Sequence, residues 1–353
     1  MRQLVLLGAG DAHVHVLSTL ANKHLPSDVQ VTLLAPSSRQ LCLGMVPGFV
    51  AGHYTLEQCA IALEPWLKKT NVRCLPGSAT ALHADTRTIT LNDGSKIVYD
   101  WLSVNTPAVQ DRTQIEKAMP GACEFGLFIR PIESFCALWP QVANLGAERA
   151  LRVAVIGAEV SGIELAMAIR QRLPQASLTL ITGGGAVGAD ITPAAAQRVV
   201  RALKERHITV LCDVVQGIQA GEVLLGCGAR LACDVPVIAI GVQAPSWLAG
   251  SGFALDKHGF VAVNASQRST SHPQVFAAHA VRSKADQTLA HNLVASMVGT
   301  ELAAHRPERN TLSLLSCGDR DAIASWGAYS VQGRWVGWFK ERIDRSFVKR
   351  YNA

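Results

Sequence analysis

Two stretches decide the fold: Arg2–Leu20, RQLVLLGAGDAHVHVLSTL, and Arg152–Ile169, RVAVIGAEVSGIELAMAI. Each is a short apolar run, a glycine turn and an apolar-periodic helix. That order begins a dinucleotide-binding βαβ unit. The strand ends in a tight turn, and the helix aims its first N–H groups and its dipole at a pyrophosphate. The same opening twice in one chain predicts two dinucleotides, and so electron transfer between them. The alternative is two ordinary βα turns that use glycine for geometry alone.

Neither fingerprint is complete. The first reads Gly8-Ala9-Gly10-Asp11-Ala12-His13, with histidine at the place of the third glycine. That glycine serves close helix–strand packing, so His13 predicts a wider fit. The second reads Gly157-Ala158-Glu159-Val160-Ser161-Gly162. Glu159 stands where backbone should approach phosphate, and its carboxylate repels pyrophosphate unless it turns to solvent.

A chain of 353 residues is too long for one hydrophobic core, so two domains are expected. Hydrophobic residues make up 49% and charged residues 17%, as in an α/β protein with buried parallel strands. The net charge of +6 and pI of about 8.9 come without an arginine-rich run in the body of the chain, which argues against nucleic acid. No apolar run is long enough for a transmembrane helix, and the N-terminus enters a strand directly, so a cytoplasmic protein is expected. The nine cysteines form no CxxC, and no histidine pair has metal-ligand spacing, so no metal site is expected. Cys42, in a glycine-rich loop, is the one thiol to examine for redox chemistry.

Along the chain, Val29–Leu34 reads as the second strand of the first unit. Ala35-Pro36-Ser37-Ser38 follows where an acid often binds ribose hydroxyls, leaving backbone or serine groups for that task. The loop from Leu43 to Tyr54 is dense in glycine and suits close approach to a flat ring. Thr55 is expected to cap a helix. Residues 71–104 read as a small β meander, with Ile97–Val104 as its returning strand. In the second unit Leu178–Ile181 is the second strand, and Thr182-Gly183-Gly184-Gly185 offers nothing to choose NADH over NADPH. Pro193–Arg206 is a helix with a solvated basic face. Ile208–Cys212 and Val235–Ile240 are strands, and Phe260–Val263 follows. The tail from Arg334 interleaves Trp335, Trp338, Phe339, Ile343 and Phe347 with Lys340, Arg342, Arg345, Lys349 and Arg350. Residues 334–353 are read either as an amphipathic helix on an anionic membrane, or as a helix docked on the body or in a homodimer contact.

The stretches GAGDAHVHVL (8–17), GMVPGFVAGHY (44–54), YDWLSVNT (99–106), VIGAEVSGIELA (155–166), SHPQVFAA (271–278), LAHNL (289–293), LLSCGDRDAIASWG (314–327) and GRWVGWFKERIDRSFVKRY (333–351) resemble FAD-dependent pyridine nucleotide oxidoreductases with two dinucleotide-binding domains. The resemblance is strongest to the NADH dehydrogenase-like branch, related to quinone reductases and to the module fused to some selenide, water dikinases. It implies an α/β fold of two Rossmann-like domains, the first split by the second, with a small β insertion and a C-terminal helical tail. The implied boundaries are 1–110 with 241–312 for FAD, 111–240 for NAD(P), and 313–353 for the C-terminal region.

The implied activity is oxidation of NAD(P)H, with FAD passing electrons to a quinone or similar, unidentified acceptor. The implied FAD-site residues are Gly8, Gly10, His13, Pro36, Met45, Pro47, Thr106 and Gly241. Gly157 and Gly162 would receive the nicotinamide dinucleotide. Glu164 matches a glutamate near the nicotinamide and is the candidate catalytic residue; its other reading is a helix-dipole carboxylate.

Three positions depart from the family pattern. The glycine–aspartate pair after the Val275–Ala277 run is missing, and His279-Ala280-Val281-Arg282 follows instead. Thr106-Pro107-Ala108 replaces threonine-glycine-serine. Glu159 replaces a glycine. Their expected consequence is weak cofactor binding. The rival reading is a non-catalytic regulatory or scaffold protein of the same fold.

Overall fold

The computed structural model describes residues 1–23, 25–278, 283–305 and 311–352, without the side chains of residues 283 and 284. Two five-stranded parallel sheets organise it. In the first, the order is Val275–Ala277, Trp101–Val104, Arg2–Leu7, Val29–Ala35, Arg73–Pro76. In the second, it is Leu127–Phe128, Val235–Ile238, Arg152–Ile156, Ser177–Ile181, Thr209–Leu211. The strands preceding the two glycine turns are therefore both central. Leu4, Val5, Leu6 and Leu7 are almost wholly buried, as are Val153, Ala154, Val155 and Ile156. Such unbroken apolar runs suit strands covered on both faces.

The chain leaves the first sheet, builds the second, and returns through Val275–Ala277. The two crossings pair with each other, Val109–Gln110 antiparallel to Val242–Gln243. The Gln110 amide nitrogen donates to the carbonyls of Ile238 and Ile240, and its oxygen accepts from Arg130 N.

Five points differ from the sequence-based expectations. The meander is Ala79–His83, Thr88–Leu91 and Lys96–Val98; Arg73–Pro76 before it and Trp101–Val104 after it belong to the parallel sheet. The expected strand Ile97–Val104 breaks at Tyr99–Asp100, because Tyr99 N bonds back to Arg87 O while Asp100 exchanges hydrogen bonds with Gln3. A second three-stranded meander, Val215–Gln219, Glu222–Leu225 and Arg230–Ala232, occupies the corresponding place in the second unit and was not foreseen. Thr55 and Gln58 do exchange backbone-to-side-chain hydrogen bonds, but they introduce only the 3-10 turn Glu57–Cys59, and the strand Ala60–Ala62 follows. Within 260–263, Val261 and Val263 form isolated bridges, to Leu255 and Ser269, and no named strand.

The C-terminal region is a hairpin sheet, Ser313–Ser316, Ala322–Trp326 and Tyr329–Gly333, followed by the helix Arg334–Asn352. The helix docks on the first unit. Tyr351 O accepts from the Trp66 indole, the Tyr351 hydroxyl meets His15 Nδ1, and Asn352 pairs with the backbone of Ala60 and Ala62. Val336, Val348 and Tyr351 are buried while Trp335, Trp338, Phe339 and Ile343 stay exposed.

Candidate functional site

The first glycine turn sits at the C-terminal end of its central strand, where an open α/β sheet holds ligands. Gly8 has φ +91°, and a Cβ there would overlap the Asn105 carbonyl. Gly10 caps the helix Asp11–Leu20 with extended backbone. A Cβ on Gly10 would overlap the Asn105 carboxamide oxygen. Asn105 is held by its Nδ2 donating to Ala278 O at 2.9 Å, while Thr106 packs against Gly8. Among the described residues, no partner accepts from the N–H groups of Gly10, Asp11 or Ala12. Three free donors at a helix N-terminus fit a pyrophosphate.

His13 is fully buried. Its Nδ1–H donates to Gly8 O, and its Nε2 accepts from the Ser103 hydroxyl at 2.8 Å. The ring thus fills the wider gap and ties helix, turn and neighbouring strand together. Burial pulls its pKa down to about 4 against the Gly8 carbonyl, so it is neutral at physiological pH. His13→Ala is expected to destabilise the protein by about 3 kcal/mol through lost packing and two broken buried hydrogen bonds. A urea melt checks it, and an unchanged midpoint would contradict the clamp.

The expected FAD-site residues separate into groups. Gly8, Gly10, His13 and Thr106 come together around Asn105. Pro36 is exposed at the end of Val29–Ala35. Met45 is fully buried in the first unit's core. It shapes the loop from within rather than presenting a surface. Gly241, at φ +68°, lies by Ile115 where the chain crosses between the units. The segment 279–282, where the family's glycine–aspartate pair would stand, lies outside the described residues.

A second set of residues lines a cleft of about 560 Å³. The Leu43–Pro47 loop forms one wall, and Ile129, Arg130, Glu159, Ser161, Glu164, Asp190 and Val242 form much of the rest. The helix Val160–Arg172 starts at this cleft. Gly157 has φ +120°, and a Cβ on Gly162 would overlap the Gly157 carbonyl, so both glycines are needed for the turn. Glu159 is exposed at the N-cap. Val160 N already donates to Asp190 Oδ2 at 3.3 Å. A pyrophosphate here would meet two carboxylates. The buried Thr182 hydroxyl, at the end of the neighbouring strand, has no partner among the described residues and suits a sugar hydroxyl.

Glu164 is not a solvated helix carboxylate. Its Oε1 accepts from Ser316 N of the C-terminal sheet at 2.7 Å. Burial raises its pKa, opposed by the nearby Lys340 cation and the Ser316 N–H. Lys340, expected among the basic residues of the tail, points inward instead. Its ammonium donates to Gly44 O at 2.6 Å and Asp344 Oδ2 at 2.8 Å. Burial lowers its pKa, but the Glu164 and Asp344 carboxylates outweigh this and raise it. The second-unit helix, the Leu43–Pro47 loop and the C-terminal helix therefore meet in one charge network beside the cleft.

Sequence reasoning missed Asn105, Asp190, Ser316, Lys340 and Asp344. Only the i,i+4 spacing of Lys340 and Asp344 was a usable signal. Burial and the neighbouring Asp11 and Asp344 carboxylates push the Cys42 thiol up to about 12, the reverse of a reactive thiolate. Among the described residues no group of three or more His, Cys, Asp or Glu could hold a metal.

Two glycine turns, each following the central strand of a parallel sheet, define a two-dinucleotide-fold protein. The chain belongs to the pyridine nucleotide-disulphide oxidoreductase family, which it matches over residues 2–299. It is 24% identical to the NADH dehydrogenase-like protein YutJ of Bacillus subtilis (strain 168), over 60% of this chain and 57% of that protein. It is 29% identical to the sulfide-quinone reductase of Aquifex aeolicus (strain VF5), over 30% of this chain and 24% of that protein. Neither match reaches two thirds of the relative's length. Among solved structures, the sulfide:quinone oxidoreductase of Aquifex aeolicus has a TM-score of 0.79 at 19% identity, covering 100% of this chain and 92% of that one. NDH2 from Plasmodium falciparum in complex with NADH has a TM-score of 0.78 at 12% identity, covering 99% and 97%.

Proposed function

We propose that the protein is an FAD-dependent oxidoreductase that passes electrons from NAD(P)H to a quinone or similar acceptor. The observation that carries this reading is the shared cleft. The second glycine turn, Glu164 and the Leu43–Pro47 loop of the first unit face one another across it, with Lys340 beside them. When bound, the flavin supplies hydride acceptance and electron release. The Gly8–Gly10 turn, with the free N–H groups of Gly10, Asp11 and Ala12, would hold its pyrophosphate. Gly157, Gly162 and Thr182 would hold the nicotinamide dinucleotide. Glu164, half-buried with a raised pKa, is suited to hold a proton at its carboxyl, and Lys340 stabilises its ionised form. The exposed Trp335, Trp338, Phe339 and Ile343, with Arg342, Arg345, Lys349 and Arg350 on the same helix, support an acceptor met at a membrane surface. No helix among the described residues is long and apolar enough to cross a membrane.

A second reading, a weakly binding regulatory protein, is favoured by Asp190 on the second helix N-terminus and by the missing glycine–aspartate pair. Losing one charged hydrogen bond to FAD weakens binding about 10- to 150-fold. Isolated protein is therefore expected to carry less than one flavin per chain. Its visible absorption spectrum tests this, and full flavin occupancy after gel filtration would contradict weak binding.

Glu164→Gln keeps the acceptor for Ser316 N but removes the charge. It is expected to lower NADH-driven kcat about tenfold or more and to flatten the limb of the pH profile on which activity falls as Glu164 ionises. Unchanged kcat and pH profile would remove Glu164 from the chemistry.

A further inference from the structure

Two acids lie beside the first turn and take no part in the reading above. Asp11 is the first residue of the helix Asp11–Leu20, directly after Gly10. Its side chain is largely buried, with a long 3.4 Å hydrogen bond from Gln40 Nε2 to Oδ1. Asp286 lies in the first turn of the helix Ser283–Val298, which packs along Asp11–Leu20. It is 4% exposed, and its Oδ1 is buried with no hydrogen-bond partner among the described residues. The Asp11 carboxylate adds to the upward shift of Asp286. An anion on the free N–H groups of Gly10, Asp11 and Ala12 would sit at the residue that carries one of these acids, on the helix against which the other's helix packs.

We propose that Asp11 and Asp286 make the Gly8–Gly10 turn a proton-gated pyrophosphate site, which accepts a dinucleotide when both carboxyls are protonated and rejects it when they ionise. The gate rests on the dinucleotide reading of this turn. Neutral carboxyls can donate to phosphate oxygens, and the unpartnered Oδ1 of Asp286 is an atom that a proton would equip for this. Ionised carboxylates beside a doubly charged pyrophosphate repel it in a poorly solvated site. Binding then takes up protons from solvent, up to one for each acid.

The surrounding charges agree with this assignment. Asp11 is pushed up to about 6 by burial, helped by Asp344 and opposed by Gln40. Asp286 is pushed up to about 7 by burial and Asp11. Asp344, on the C-terminal helix, is engaged by Lys340. His13 is neutral here, and His15, on the same helix, is lowered by burial and by Arg350. Tyr351 and Cys42 nearby are raised by burial and stay uncharged. Arg282 and the Lys284 side chain lie outside the described residues. The pyrophosphate diester itself does not titrate in this range, so a pH dependence belongs to the protein.

The test titrates FAD into the full chain, follows flavin fluorescence across about pH 5 to 8, and runs with EDTA and then with Mg²⁺. Wild type is compared with Asp11→Asn, Asp286→Asn and the double variant, with near-ultraviolet circular dichroism to show that each folds. Wild-type Kd is expected to rise about tenfold per pH unit between about pH 6 and 7 and to approach about 100-fold per unit above that, to rise no more than about tenfold per unit in each single variant, and not at all in the double variant. A pH-independent wild-type Kd, or a slope kept by the double variant, overturns the gate while leaving a dinucleotide site. A slope that Mg²⁺ abolishes, with no binding in EDTA, assigns the carboxylates to a bridging cation and overturns the gate. No FAD binding by any form at any pH overturns the dinucleotide reading, and the gate with it.

Discussion

Replacing Gly10 by valine is expected to reduce FAD affinity by about 100-fold or more, roughly 3 kcal/mol. Gly10 has an ordinary extended backbone, so the residue itself is not strained there. The cost lies in its neighbours. The new Cβ overlaps the Asn105 carboxamide, which must swing away from Ala278 O and from His13 N. The branched side chain then stands over the N–H groups that would face the pyrophosphate. Asn105→Ala, with Gly10 retained, separates the two effects. It loses the same polar contacts but leaves the turn open, and it is expected to lose only about tenfold. Equal flavin content in Gly10→Val and wild type would place the cofactor elsewhere.

The second large effect is on stability and has a definite sign with pH. Asp286 has a folded pKa of about 7 against an ordinary 3.8, and Asp11 about 6. Each is raised, so each contributes fully below the unfolded value and loses that contribution as pH rises through the folded one. Asp286→Asn removes the ionisation. It is expected to leave stability near wild type at about pH 4 and to exceed wild type by about 3 kcal/mol at about pH 8. Urea midpoints at the two pH values measure this. A variant less stable than wild type at the higher pH would show that the ionised carboxylate is well solvated or paired.

The two glycine turns and the central strands were legible because glycine geometry and unbroken apolar runs are local signals. The exchange of Ile97–Val104 for two separate strands was not. What breaks it is Asp100 bonding to Gln3, a contact absent from any local pattern. The second meander has short strands with little alternation, VQGIQ and EVLL, which carry no period to read. The tail helix was read only as a basic, aromatic amphipathic segment, either membrane-facing or docked. Trp335 and Trp338 are exposed, and Lys340, counted with the basic face, instead faces inward with Asp344, beside Gly44 O and Glu164. Glu164 stood out from its motif, but its partner Ser316 N is supplied by a strand distant in sequence. A buried acid such as Asp286 gives no sign in sequence, since only its surroundings distinguish it from a solvated helix carboxylate.

The proposed function is that of an NAD(P)H oxidoreductase with a weakly held flavin. Its most direct measurement is NADH-driven reduction of menadione by the purified full chain as FAD is added, at about pH 6 where Asp11 is half-protonated. The expected result is a low rate without added FAD, rising severalfold and saturating at micromolar FAD. Absence of turnover above the protein-free rate at every FAD concentration would contradict the account.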